Sequence, residues 1–266
     1  MEITSWDNAL VKEWKKLACD PRFRRKSGRF ALEGARLCAD AALSGVPLPA
    51  VLVTDRAREQ YASYMEPLLS RAQRVFAIPE PLAAHLAETT TPQGVFAVGE
   101  RQEQTLEVTP RGRYLALEDV QDPANMGTVI RTAEAMGVEG LLLSAGCCDL
   151  YSPKVLRGSM GGVFRLPTLT VSDMPAAVRQ WQDAGLTVFA CVVDERAERL
   201  TDIAFSDGAV CLIGNEGSGL KPATADACAR RITIPMSGRA ESLNASMAAG
   251  IVLWELTRGR LSGGEG

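Results

Sequence analysis

Six polar side chains stand out because they interrupt apolar runs at points where strands give way to turns and helices. They are Asn125 and Arg131 in DPANMGTVIRTA, Asn215 and Glu216 in IGNEGSGL, and Ser242 and Asn244 in ESLNASM. Amides and hydroxyls orient a bound group through hydrogen bonds, and a carboxylate accepts them. A guanidinium stays charged at every ordinary pH, so Arg131 suits phosphate binding or stabilisation of a developing oxyanion rather than proton abstraction. The set points to chemistry by positioning and charge. His85 is the only histidine, which argues against a histidine-rich metal site or a Ser-His triad. The seven cysteines form no CxxC pair and lie mostly in apolar contexts such as VFACVV and AVCLIG, so they read as reduced thiols. No metal is expected, and the reaction must draw on Arg, Asn, Ser, a carboxylate or a bound cofactor.

Each motif also has a plainer reading. In the first, Asp122 is a candidate N-cap and Pro123 suits the first helical position, so a helix starts directly after the strand. Val129, Ile130, Ala133 and Met136 supply its buried face; Arg131 then needs a partner or a job, unless its stem simply lies along the surface. In the second, Gly214, Gly217 and Gly219 allow a tight bend and close approach of a ligand to the main chain, or merely a tight turn. Neither GxGxxG nor GxxxxGK[ST] is present, and Glu216 would repel a nucleotide phosphate. In the third, IPMSG (234–238) leads to a closing helix whose packed stripe is expected to be Leu243, Met247, Ile251 and Trp254. Ser242 is the expected cap and Asn244 a first-turn residue.

The elements that hold these motifs alternate. YLALEDV, GLLLSA, RLPTLTV, LTVFACVV and AVCLIG are nearly continuous apolar strands separated by helical segments, the pattern of an α/β fold with a parallel sheet covered on both faces. Upstream, residues 5–19 carry Leu10, Trp14 and Leu17 at helical spacing until Pro21 breaks the pattern. RFALEG, AVLVT and GVFAVGE read as strands, with helices to Gly45 and over 55–70 between them. RQEQTLEVTPRGR lacks periodicity and reads as a linker. The expected domains are therefore 1–100, a linker 101–112, and 113–266.

A chain of 266 residues, 46% hydrophobic, can bury a full core. It shows no apolar run long enough for a membrane span and no signal-peptide core, so a cytoplasmic protein is expected. Net charge is −3, yet residues 1–30 hold eight Lys/Arg against four acids. That end can face phosphates, or can be an ordinary solvated helix.

In order, DPxNxGxxxR, GNExxGL and IPMxGxxxSLNxS closely resemble the three signature motifs of the SpoU/TrmH branch of the SPOUT methyltransferases. Ser5, Asn8, Val11, Lys12, Leu17, Phe30, Leu32, Glu33, Gly34 and Arg36 also resemble that family's N-terminal RNA-binding extension, which has a smaller, ribosomal-protein-like α/β fold. The resemblance implies a C-terminal SPOUT domain with a deep trefoil knot over about 210–256, holding S-adenosylmethionine through Gly214, Ile234, Met236 and Leu243. It implies transfer of a methyl group to an RNA ribose 2′-hydroxyl, with Arg131 central and Asn125, Glu216, Ser242 and Asn244 orienting. It implies RNA contacts at Lys12, Arg24, Arg25 and Arg36, to which Lys154, Arg157 and Arg165 of a basic helix can be added. A homodimer through the C-terminal domain is expected. The two-domain layout favours rRNA as substrate; the alternatives are a tRNA 2′-O-methyltransferase and a catalytically silent RNA-binding or ribosome-assembly factor.

Overall fold

The computed structural model describes residues 1–261. The first stretch of chain forms α1 (Ala9–Cys19), α2 (Pro21–Ser27), β1 (Arg29–Glu33), α3 (Ala35–Leu43), β2 (Ala50–Val53), α4 (Asp55–Gln60), α5 (Ala62–Arg71), β3 (Val75–Ala77), α6 (Glu80–Leu86) and β4 (Val95–Glu100). After an irregular stretch come β5 (Arg113–Leu117), α7 (Pro123–Ala135), β6 (Gly140–Ser144), α8 (Pro153–Ser159), α9 (Gly162–Arg165), β7 (Thr168–Val171), α10 (Met174–Asp183), β8 (Thr187–Cys191) and β9 (Glu198–Arg199). A 3₁₀ turn at Leu200–Asp202, β10 (Ala209–Ile213), α11 (Pro222–Ala227), β11 (Arg230–Thr233) and α12 (Ala245–Leu261) complete the described chain.

Contacts divide it into two compact units. One is Met1–Glu103 with Asp149–Arg165, and the other is Gln104–Cys148 with the chain from Leu166 on. The expected boundary at 101–112 had left α8 and α9 with the second unit; their packing assigns them to the first.

In the first unit the sheet runs β1-β4-β2-β3, with β4 antiparallel to β1 and β2, and β2 parallel to β3. The stripe expected on α1 is present: Val11, Trp14 and Leu17 are buried. Trp14 meets Phe96 edge to face at 5.2 Å, and its indole N–H donates to the Ala97 carbonyl at 3.1 Å. Burying a side chain of this class contributes on the order of 1.5–3 kcal/mol. Pro21 begins α2 instead of ending order, because Asp20 caps the Arg22 and Phe23 N–H groups and proline tolerates the first helical turn. The expected single helix over 55–70 is two helices, parted at Tyr61.

The second unit contains a seven-stranded sheet in the order β7-β6-β5-β10-β8-β11-β9, parallel in every described pairing. Its inner strands β5, β6 and β10 are buried throughout, whereas the edge strands β7 and β9 are largely accessible. The continuous apolar runs of the inner strands follow from being covered on both faces.

α12 packs on β5, β10 and α7, but not through the face the sequence suggested. Ala245, Ala249, Val252, Leu253 and Leu256 are buried, while Met247 is 62% and Trp254 50% exposed and Leu243 is also exposed. The helix is apolar on nearly every side, so its sequence offers two competing stripes, and the one with small residues is the one that fits against the sheet.

Candidate active site

The first motif begins where β5 ends. Asp122 caps α7 by accepting from the Ala124 N–H at 2.8 Å, with Pro123 in the first turn, as expected. That places Asn125 on the inward side, only 7% exposed. Its amide N–H donates to Glu216 Oε1 at 3.1 Å, and its Oδ1 accepts from the Asn244 amide at 3.0 Å. Three segments far apart in sequence thus meet in one chain of hydrogen bonds, Asn244 to Asn125 to Glu216.

Glu216 also accepts from the Asp122 N–H at 3.0 Å and the Gln121 N–H at 3.1 Å. Partial burial pushes its pKa up, but the Asn125 amide and these backbone donors outweigh that and hold it below the ordinary glutamate value. A carboxylate so occupied is a clamp for the turn before α7 and a poor base.

Asn244 serves two purposes. Its Oδ1 accepts from the N–H groups of Ser246 at 2.9 Å and Met247 at 3.4 Å, so Asn244, and not Ser242 as expected, caps α12. Ser242 lies two residues before that cap and is exposed.

The glycine turn is built by its own backbone. A Cβ on Gly214 would lie 2.1 Å from the Gly219 carbonyl carbon and 2.2 Å from the Leu220 nitrogen, so Gly214 is needed by the folded turn itself. Gly219 sits at φ +68°, which favours glycine. Asn215 completes the turn, donating to the Asp119 carbonyl at 2.8 Å and accepting from the Gly217 and Ser218 N–H groups.

Sequence reading missed Glu118. It is buried, accepting from the Lys221 N–H at 2.8 Å and the Thr224 hydroxyl at 2.6 Å, and so pins the segment after the glycine turn to the end of β5. An acid directly after the apolar YLAL was the available signal. Asp119, held at φ 54°, pairs with Lys221 at 2.6 Å and accepts from Ser144 at 2.7 Å.

These turns border a cleft of about 490 Å³ at the C-terminal ends of β8, β10 and β11, the edge of a parallel sheet where ligands bind. Its size lies within the range of about 300–1,000 Å³ common for small-molecule sites. Gly214, Ile234, Met236 and Leu243, the four expected cofactor contacts, all line it, as do Glu216 and Ser242. Val192, Ile213 and Leu220 add apolar wall. Asn125 and Asn244 stand behind this lining, joined to it through Glu216.

Arg131 is the exception among the expected catalytic residues. It is exposed and makes no hydrogen bond or ion pair among the described residues. Six residues beyond Asn125, it is roughly 9 Å further along α7 and turned about 120° away. It shares the outward face of α7 with Thr128.

The expected RNA contacts separate into kinds. Arg24 is 3% exposed, donating to the carbonyls of Leu17 at 2.7 Å and Ala18 at 3.1 Å and pairing with Asp149 at 2.7 Å. It ties the end of α1 to the Asp149 segment and is not available to RNA. Lys12 is exposed and paired with Asp7 at 2.8 Å; Arg25 and Lys154 are exposed; Arg36 lies 3.9 Å from Asp40. Arg165 is exposed and donates to the Met160 carbonyl at 3.3 Å, whereas Arg157 borders a second cavity. No cluster of metal-ligating side chains occurs among the described residues, no described helix is long and apolar enough to cross a membrane, and none of the seven cysteines is in a disulfide.

An α/β sheet with a cleft at its carboxyl edge, closed by a glycine turn and an asparagine-capped helix, is the frame of an α/β protein that binds a small molecule. Residues 112–254 match the SpoU rRNA Methylase family and residues 8–97 the MRM3-like substrate binding domain. The chain belongs to the SpoU rRNA methylase family. It is 32% identical to the 23S rRNA (guanosine(2553)-2′-O)-methyltransferase RlmP of Bacillus subtilis, over 96% of this chain and 98% of that protein. Among solved structures, the AdoMet-bound rRNA methyltransferase from Sinorhizobium meliloti superposes with a TM-score of 0.84 at 30% identity, covering 97% of this chain and 98% of that one. The SpoU methyltransferase AviRb from Streptomyces viridochromogenes in complex with AdoMet gives 0.82 at 31% identity, covering 96% and 99%.

Proposed function

We propose that this enzyme methylates a ribose 2′-hydroxyl of rRNA using S-adenosylmethionine. The observation that carries the reading is the hydrogen-bonded chain from Asn244 through Asn125 to Glu216 at the wall of the cleft. The 23S rRNA 2′-O-methyltransferase RlmP and the AdoMet-bound structures of two relatives support the substrate class and cofactor.

The donor set fits the cofactor. Apolar walls at Ile213, Leu220, Ile234, Met236 and Leu243 suit its adenine and thioether-derived parts, and the Glu216 carboxylate suits a cation. When bound, S-adenosylmethionine supplies an electrophilic methyl group on a sulfonium. The chain's own work is then positional. Glu216 and Asn125 hold the first and second motifs in register, Asn244 fixes the start of α12, and Ser242 offers a hydroxyl at the cleft to the incoming ribose. Arg131 binds the target phosphate and stabilises the developing alkoxide, while the proton leaves to phosphate or water.

Arg131 faces away from its own cleft, and the reading accounts for this by a homodimer. Met247 and Trp254 form an exposed apolar stripe on α12, which packs beside α7. Association through that stripe would bring the guanidinium to the second protomer. The knot over about 210–256 and a cytoplasmic setting belong to the same reading. Light scattering should return twice the chain mass. A monomer with full activity would contradict the dimer.

The test of function is to map 2′-O-methyl groups by mass spectrometry in rRNA and tRNA from cells with and without this protein. Loss of one rRNA position is expected. A change confined to tRNA would move the substrate, and no change in either pool would favour a silent binder.

A further inference from the structure

The first unit holds a cavity of its own, about 340 Å³, bordered by Leu37 and Asp40 of α3, by Gln93, and by Arg157 and Met160 at the end of α8. Arg157 and Met160 lie outside the stretch matched as a substrate-binding domain, so the cavity is completed by a segment inserted between β6 and β7 of the other unit.

Two of its polar side chains keep unspent donors. Arg157 Nη1 is buried with no hydrogen-bond partner. A buried donor left unpaired weakens the free protein, and a small turn of the guanidinium toward the cavity would let an acceptor there relieve it. Gln93 gives its Oε1 to the Ala35 N–H at 2.8 Å, which leaves its N–H groups as donors. The Asp40 carboxylate also borders the cavity, 3.9 Å from the exposed Arg36. Glu33, by contrast, is already engaged by the Glu88 and Thr89 N–H groups and the Thr89 hydroxyl.

Donors, a carboxylate acceptor and the apolar Leu37 and Met160 in one lining suit the edge and face of a nucleobase. A bare phosphate is disfavoured by the bordering Asp40 and Glu33. Proteins read single-stranded RNA by taking splayed-out bases against apolar or guanidinium surfaces and bonding their edges, and arginine is the side chain best suited to the acceptor edge of a base. We propose that this cavity takes the base of one unpaired RNA nucleotide, with Arg157 donating to its acceptor edge and Arg36 at the mouth meeting the backbone. The proposal rests on the reading that RNA is the substrate.

The test uses the full chain and fluorescent five-nucleotide single-stranded RNAs that differ only in the central base, followed by anisotropy. The wild type should prefer one central base, and Arg157→Met should weaken that RNA by about 10-fold or more, leaving the others less affected. S-adenosylmethionine affinity should not move. Because an orphaned buried donor is removed, the melting temperature of Arg157→Met should equal or exceed that of the wild type. A lower melting temperature would mark Arg157 as structural and overturn the proposal. So would wild-type affinity in the variant, equal loss for all four RNAs, or no binding by the wild type. If Arg157→Met methylates rRNA with unchanged KM, the cavity proposal alone fails; if the wild type binds S-adenosylmethionine yet transfers no methyl group to rRNA, the functional reading fails with it.

Discussion

The cleft of the second unit and the cavity of the first differ in how their polar groups are partnered. Around the cleft, Asn125 has a donor and an acceptor, Glu216 takes two backbone N–H groups in addition to the Asn125 amide, and Asn244 both caps and donates. In the cavity, an arginine nitrogen is buried with nothing to bond. A saturated network is rigid and preorganised, as a site that must aim a methyl group requires. An unsaturated one stores a cost in the free state, as a site waiting for an external partner can.

The contrast can be broken most sharply at Arg131, the group outside the saturated network. Arg131→Ala should bind S-adenosylmethionine normally and lose turnover by on the order of 10²–10³, the scale of losing one transition-state donor. Arg131→Lys should recover little, because an ammonium lacks the planar fork. Near-normal turnover of the lysine variant would sink that assignment.

Gly214→Ala attacks the turn itself. With backbone atoms 2.1 Å from the new Cβ, the turn must shift, at a cost of about 3 kcal/mol in stability by chemical denaturation, and cofactor affinity should fall with it. Asn244→Ala is next. Losing the α12 cap costs about 1 kcal/mol, and Asn125 Oδ1 is left without its donor. The melting temperature should drop, opposite in sign to the effect expected at Arg157.

The smallest effect is set by pH. Glu216 has a folded pKa below its ordinary value, so its contribution to stability is fully present above the unfolded glutamate pKa, about 4.3, and is lost as pH falls through the lower folded value. Cofactor affinity should be flat from about pH 8 to 5 and decline only below that range; a decline centred near neutrality would remove Glu216 from the clamp.

Much of the second unit was legible because burial on both faces writes itself as continuous apolar strands, and because Asp122-Pro123 and the glycines of the turn carry local backbone reasons. What was not legible depended on choices made in three dimensions. α12 offers apolar residues all round, so only the sheet decides that Ala249 and Leu253 face inward and Trp254 outward. Arg24 sits among other basic residues near the N-terminus, and nothing local marks it as the one that buries against Asp149. α8 and α9 follow a parallel-sheet strand in sequence yet pack with the first unit, a step no periodicity encodes. Glu118 was visible as an acid after an apolar run, but its partners lie about a hundred residues away.

The most direct measurement is methyl transfer in vitro from labelled S-adenosylmethionine to unmodified 23S rRNA, with the product nucleotide identified by mass spectrometry. The account predicts a single 2′-O-methylated nucleotide with the wild type and none above background with Arg131→Ala, at equal cofactor binding. Label on a base instead of a ribose, or equal transfer by the two proteins, would contradict it.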